Sequence, residues 1–388
     1  MNYDFFSPNQ ITFGWGRRTE LGKLCASLGE RVFLVSGSRT LERRGLINEL
    51  QQAIAATGLT VHQFEAASHE PEVSDVDALV ASFLKLEPTD RDVVVAIGGG
   101  STIDLAKAAA ACATNRQSSS VVDFLEGVGR GYQISERPLS VIAVPTTAGT
   151  GTEVTKNAVI SSYSPPFKKS LRSDHMIPRV VLVDPELTVS LPRETTAYTG
   201  MDAITQLIES FISRRAAPIP QALALSALEK ALPALRAVVQ DGTLRSEREI
   251  MSHAALLSGM ALANSGLGFA HGVAAALGVH CRVPHGLACA VMLPAALRVN
   301  QHVSEKPLAR LEALFDQSHP TSEASAAAFI ARIDRLCHEI GIPARLRSIG
   351  VEIDQLPAIA VSSRGNSMNG NPRDVSDSEV LSILQQLW

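Results

Sequence analysis

Short β-branched runs recur along the first half of the chain: RVFLVS at 31–36, DVVVAI at 92–97, SVIAV at 140–144 and VVLV at 180–183. Runs that are apolar at consecutive positions suit parallel strands covered on both faces. Between them, 42–57 and 74–86 carry apolar residues at helical spacing. Strand, crossover helix, strand is the grammar of a doubly wound sheet. Past about Asp184 the pattern changes. Alanine and leucine dominate, and helical periodicity runs through 195–213, 221–239, 245–263, 269–277 and 322–340 with no convincing strand alternation. The expected organisation is a doubly wound α/β domain over 1–188 and an all-helical domain over 189–388, joined near 188–192. A Gly/Asn/Ser-rich stretch, 362–372, is expected as a loop. No internal repeat or low-complexity tract is present.

A length of 388 residues agrees with two domains. Apolar residues at 45% and charged residues at 19% describe an ordinary buried core. The net charge of −4 gives no electrostatic case for nucleic acid or an anionic membrane as partner. The five cysteines (Cys25, Cys112, Cys281, Cys289, Cys337) are scattered, odd in number and without a C-x-x-C pair. That pattern points to reduced thiols and a cytoplasmic protein. The start, MNYDFFSPNQ, lacks the basic and apolar regions of a signal peptide. One apolar stretch, 259–279, has membrane-spanning length, but its five glycines, Asn264, Ser265 and His271 favour buried packing in a helical domain.

Candidate chemistry gathers in three places. In DVVVAIGGGSTIDLAK a strand ends in Gly98-Gly99-Gly100, Ser101 stands where a helix N-cap belongs, and a helix opens. Glycines let a phosphate approach the backbone, and the free amides and dipole of a helix start attract its charge. After the next strand, Pro145 to Glu153 places four threonine hydroxyls and two glycines in one loop, Thr146, Thr147, Gly149 and Thr150 among them. In an open α/β sheet ligands sit beyond the carboxyl ends of the strands, so two such loops are expected to face one dinucleotide. In the helical half, Asp202 and Gln206 lie four apart, and His271 and His285 fourteen apart. An aspartate, two imidazoles and an amide oxygen can ligate a divalent ion.

The order of these segments resembles the iron-containing (group III) alcohol dehydrogenase family. GGGSTIDLAK is followed by PTTAGTGTEVTKNAVI, then DPELTVSLPRETTAYTGMDAITQLIESFIS, then SGMALANSGLGFAHGVAAALGVHCRVPHG and a final Asn371-Pro372-Arg373. The resemblance runs from about Phe13 to the C-terminus. It implies hydride transfer between NAD(P)(H) and a small alcohol or aldehyde, metal assistance, and a homodimer. It also implies cofactor binding by Gly98 to Ser101 and Thr146 to Thr150, with Asp104 and Lys156 close by. Three of the family's four metal ligands match, Asp202, His271 and His285. The fourth, a histidine, is Gln206 here, and a second family histidine is Ala275, for which His280 is the candidate substitute. An amide oxygen is a harder donor than imidazole, which favours Fe(II), with Mn(II) or zinc as alternatives.

In many members of the family the strand matching FLVS ends in an aspartate that holds the adenine ribose. Gly37 stands there, followed by Ser38, Arg39 and the pair Arg43-Arg44. Removing a carboxylate and adding a guanidinium suits a ribose phosphate, so NADP is favoured over NAD. Two rivals share the architecture, a dehydroquinate synthase-like enzyme and a maleylacetate reductase-like enzyme. The GMDAITQ segment and PHG turn fit the alcohol dehydrogenases better. A non-catalytic scaffold would be expected to lose its phosphate loops, and both are intact.

Overall fold

The computed structural model describes residues 2–37, 39–67 and 69–388, with Arg39 described in its backbone alone. The chain forms two compact units. One holds Phe6–Thr147 and Gly151–Ser190; the other holds Leu191–Trp388 with Ala148–Thr150 and the N-terminal residues up to Phe5.

The first unit contains strands β1 (Gln10–Phe13), β2 (Arg31–Ser36), β3 (Thr60–Glu65), β4 (Asp92–Gly98), β5 (Ser140–Pro145), β6 (Asn157–Tyr163), β7 (Pro166–Arg172) and β8 (Val180–Val183). Its helices are α1 (Leu21–Ala26), α2 (Arg39–Arg43), α3 (Leu46–Ala55), α4 (Val73–Leu84) and α5 (Gly100–Thr114). Six strands pair in parallel in the order β1-β8-β5-β4-β2-β3. Side chains alternate strictly across this sheet. Phe33, Val35, Val94, Ala96, Val141 and Ala143 enter the core under α4 and α5. Val32, Leu34, Val93, Val95, Ile97, Ile142 and Val144 enter the opposite core, which takes in Leu21, Leu24, Ile47, Leu50 and Ile54 of α1 and α3. Both faces are covered, which is why these strands read as unbroken apolar runs.

Between β2 and β4 the winding reverses, since the chain passes from β2 outward to β3 and returns to β4 on the other side. The crevice at such a reversal, beyond the carboxyl ends, is the ligand position of doubly wound sheets. An antiparallel hairpin, β6 with β7, stands apart from the sheet.

The second unit is helical: α6 (Arg193–Ile212), α7 (Pro218–Gln240), α8 (Arg245–Ser265), α9 (Phe269–Cys281), α10 (His285–Asn300), α11 (Glu305–Glu312), α12 (Ser322–Ile340), α13 (Leu356–Ser362) and α14 (Asp377–Leu387). Helix α6 is buried along most of its length and packs against α7, α8 and α10. The apolar stretch 259–279 is split between α8 and α9, which meet at a bend of 102°. Among the described residues no single helix is long and apolar enough to cross a membrane.

Candidate functional site

In the sheet unit, β2, β4 and β5 are neighbours, and the residues that follow them come together. Gly37 donates its N–H to Ile97 O (3.1 Å), and Thr146 donates to Gly98 O (2.9 Å). Helix α5 begins at Gly100 with Gly99 as its N-cap, so Ser101 lies inside the first turn, not at the cap. Its opening amides therefore sit directly beyond β4, where an anion can take them. A Cβ on Gly99 would touch the Thr147 side chain at 3.4 Å. A Cβ on Gly37 would run into Thr102 Oγ1, far inside van der Waals contact. Gly37, Gly98 to Ser101, Thr146 and Thr147 thus share the reversal point of the sheet. Ser38 and the Arg39 side chain lie outside the described residues; Arg43 and Arg44 are exposed.

Two residues implied by the family pattern have other partners. Lys156 pairs with Asp174 (2.7 Å) and lies over the Phe6 ring. Asp104 is buried, accepting from Thr152 Oγ1 and from the Val159 N–H at 3.1 Å. Three residues on, Lys107 is buried completely and donates to Thr152 O (2.9 Å), Thr155 O (2.8 Å), Thr155 Oγ1 (2.9 Å) and Asn157 O (2.6 Å). It pins the loop that follows Thr150 onto α5. Sequence reasoning passed over Lys107, although its position one turn after Asp104 was the available signal.

Gly149 and Thr150 belong to the helical unit. Gly149 sits against Thr199 of α6, where a Cβ would meet Thr199 Cβ at 2.7 Å. Between Thr199 and Thr205, α6 carries the buried Asp202.

Asp202, His271 and His285 come from α6, α9 and α10 and converge on one oxygen. His271 Nε2 stands 3.2 Å, and His285 Nε2 3.9 Å, from Asp202 Oδ1. Burial alone would raise the Asp202 carboxyl, but the facing His285 and His271 and the Gln206 amide hold it below the ordinary carboxylate range. Gln206 points its amide nitrogen at Asp202 Oδ1 (3.1 Å), while its amide oxygen accepts from Ser258 Oγ (2.7 Å). Cys289, one turn into α10, places Sγ 3.7 Å from His285 Nε2. One donor atom from each of Asp202, His271, His285 and Cys289 lies within 4.8 Å of the others.

His271 is held from behind. Glu209, seven residues after Asp202 on α6 and 2% exposed, sits with Oε2 2.7 Å from His271 Nδ1. The same carboxylate accepts N–H groups from Gly268 (3.0 Å) and Ala270 (2.7 Å) at the start of α9. Asn371 Oδ1 accepts the Phe269 N–H at 3.1 Å. Gly268 is required at this start, because a Cβ there would meet Glu209 Oε1 at 2.9 Å and Asn371 Oδ1 at 3.1 Å. Orphan amides of a helix start are thereby satisfied by one buried carboxylate and one amide. Burial opposes a charged ring, yet Cys289, Asp202 and Glu209 together hold His271 well above the ordinary imidazole range. With Nδ1 committed to Glu209, Nε2 is the ring atom turned toward Asp202, an arrangement like that by which carboxylates orient metal-binding histidines.

His280, the candidate substitute for the family histidine at position 275, stands elsewhere. It lies nine residues beyond His271 on α9, about 13 Å along the helix, with Nε2 2.7 Å from Ser362 Oγ.

Comparison with known proteins places this geometry in context. The family model for iron-containing alcohol dehydrogenase matches residues 8–185, and the C-terminal model of the Fe-containing alcohol dehydrogenase family matches 196–388. The 1,3-propanediol dehydrogenase of Klebsiella pneumoniae is 32% identical over 100% of this chain and 99% of its own. The lactaldehyde reductase of Escherichia coli K12 is 30% identical over 96% of this chain and 97% of its own. A crystal structure of 1,3-propanediol oxidoreductase superposes with a TM-score of 0.93 at 31% identity, covering 100% of both chains.

Proposed function

The chain belongs to the iron-containing alcohol dehydrogenase family, and from that premise we propose that it is a metal-assisted, NADP-preferring enzyme acting on a small alcohol and its aldehyde. The coarser statement, an NAD(P)-linked oxidoreductase moving hydride between an alcohol and its carbonyl partner, follows from the family itself.

The observation that carries the metal reading is the convergence of His271 and His285 on the buried Asp202, with Glu209 fixing the His271 tautomer. A buried carboxylate facing two imidazoles offers an anionic oxygen and two ring nitrogens to one volume, the donor chemistry of a divalent cation site. When bound there, the ion supplies a Lewis acid for the substrate oxygen. Asp202, His271 and His285 would hold the ion; Asp202 and His271 are buried from bulk water, and Glu209 keeps the His271 ring in one orientation. On the sheet unit, the Gly98–Ser101 turn, the first amides of α5, Thr146 and Thr147 hold the cofactor phosphates. Lys156, in the same unit, belongs to the same assignment.

The cofactor preference is supported by Gly37. Thr102 fills the space a side chain would need there. The carboxylate that would repel a ribose phosphate is therefore missing, and the nearby helix α2 ends in exposed Arg43. Five reduced cysteines fit a reducing compartment, the cytoplasm. Initial rates with NADPH and NADH over a panel of short aldehydes test the activity. Consumption of NADPH with a kcat/KM above that for NADH is expected. A strong preference for NADH would overturn the cofactor assignment, and full activity after chelator dialysis to metal-free protein would overturn the metal assignment.

A further inference from the structure

We propose that Cys289 is the fourth metal ligand of this chain, giving a centre of one carboxylate oxygen, two imidazole nitrogens and one thiolate sulfur. The inference rests on reading Asp202, His271 and His285 as a metal site. It goes beyond that reading by adding a sulfur donor and removing Gln206 from the ligand set.

Three observations carry it. The first is spacing. Around a tetrahedral ion, ligand bonds of about 2.0 Å to oxygen and nitrogen and about 2.3 Å to sulfur leave edges of roughly 3.3 Å and 3.5 Å. The separations here are 3.2 Å from Asp202 Oδ1 to His271 Nε2, 3.9 Å from Asp202 Oδ1 to His285 Nε2 and 3.7 Å from His285 Nε2 to Cys289 Sγ. All four donor atoms lie within 4.8 Å of each other. Closure onto an ion requires the longest of these separations to shorten by up to about 1 Å, within the reach of side-chain rotation.

The second is the helix. His285 and Cys289 are four residues apart in α10 and share one face, so one rigid element offers both as a chelate. The third is Gln206. Its amide oxygen is engaged by the Ser258 hydroxyl, and it turns its N–H toward Asp202. As placed it turns a donor, not a ligand atom, toward the site, and presenting its oxygen instead requires giving up the bond from Ser258.

The surroundings of Cys289 also differ from those of the other buried cysteines. Cys25 packs with Leu21 and Ile54, and Cys112 lies in the alanine-rich core of α5. Cys289 instead faces two imidazoles and a carboxylate. Ligation replaces the S–H bond by a sulfur–metal bond and releases one proton to solvent. A thiolate and a carboxylate neutralise the charge of a divalent ion, and the softer sulfur shifts preference from Fe(II) and Mn(II) toward zinc and Co(II).

Co(II) tests this directly, because a cobalt–thiolate bond gives a near-ultraviolet charge-transfer band that oxygen and nitrogen donors do not. The full chain, stripped by chelator dialysis, is titrated with Co(II) and followed by absorbance and by elemental analysis. One equivalent should bind with the band fully developed. The band should persist in Gln206→Ala and in Cys281→Ser, which removes a thiol outside the site. It should be lost in Cys289→Ser, with Co(II) affinity falling by more than the roughly 10–100-fold that loss of an outer partner costs. One equivalent bound by the wild type without the band would overturn the thiolate ligand while leaving the metal site standing. No Co(II) bound by the wild type would overturn the metal reading and this inference together. The wild-type spectrum decides even if Cys289→Ser does not fold.

Discussion

Glu209 Oε2 lies 2.7 Å from His271 Nδ1, and both side chains are almost wholly buried. The same carboxylate closes the amides of Gly268 and Ala270. One residue therefore both fixes the start of α9 and aims the imidazole that α9 carries. Glu209→Gln keeps one acceptor oxygen but sets an NH2 group against the amides or the ring. Metal affinity should fall about 10–100-fold, measured by competition with a chromophoric chelator. Unchanged affinity in a folded variant would show that Glu209 closes the helix without orienting the ligand.

That relationship marks where the sequence was legible and where it was not. Strands buried on both faces announced themselves, since Val93, Val94 and Val95 are all core residues. Edge strand β3, TVHQFE, with none of its residues buried, gave no clean period and was missed. The short edge strand β1 and the β6–β7 hairpin were missed for the same reason: few of their side chains are buried on both sides. In the site, Asp202, His271 and His285 were singled out through the family pattern, since their spacing alone is a weak signal. Glu209 is seven residues from Asp202, two helical turns on the same face, and Cys289 is four from His285. Both were on the correct faces by arithmetic. Which buried polar group serves the start of another helix depends on packing, and periodicity does not carry that.

Gly37 is tied to Thr102. A Cβ at Gly37 would meet Thr102 Oγ1 at an impossible distance, and Thr102 Cβ at 3.2 Å. Gly37→Asp, the obvious change for cofactor preference, therefore mixes charge with overpacking, which costs about 1–3 kcal/mol. Gly37→Ala isolates the steric part and should lower stability and weaken both NADPH and NADH. Adding Thr102→Ala should recover most of the loss. A double variant no better than the single one would show that the two side chains do not compete. Thermal unfolding and cofactor titration give the readouts.

Glu153, 3% exposed, sets a pH dependence. Burial pushes its carboxyl from 4.5 up to about 7, against the pull of Lys107. Between those values the folded chain holds a proton that the unfolded chain has released. The unfolded state binds fewer protons there, so this group's contribution to stability declines as pH rises from 4.5 to about 7 and is level above it. Glu153→Gln removes that decline. The stability difference between variant and wild type should shift in favour of the variant by about 1–3 kcal/mol across the window, followed by urea unfolding at several pH values. A difference independent of pH would mean that Glu153 is ionised in the folded protein from the start.

Lys107 provides the sharpest test of how the phosphate-side loop is held. Its ammonium group, without solvent exposure, serves three backbone carbonyls and the Thr155 hydroxyl, and it lies 4.0 Å from Asp104. Burial drives its pKa down to about 8, against the pull of Asp104 and Glu153. Lys107→Met keeps the stem and most of the volume, but leaves the carbonyls of Thr152, Thr155 and Asn157 without this donor and Asp104 without its nearby charge. Breaking one partner from a buried charged network costs about 3–5 kcal/mol. Because these carbonyls belong to the segment that continues the Thr146–Thr150 loop, cofactor affinity should fall along with stability. Asp104→Asn alone should also destabilise, since Asp104 ties Thr152 and Val159 to α5. The double variant should lose less than the sum of the two, as the second change no longer breaks an intact pair. Urea unfolding of the four proteins, with NADPH titration on each, measures both effects. Losses that add to within about 0.5 kcal/mol would show that Lys107 and Asp104 act independently, and unchanged NADPH affinity would separate the anchor from cofactor binding.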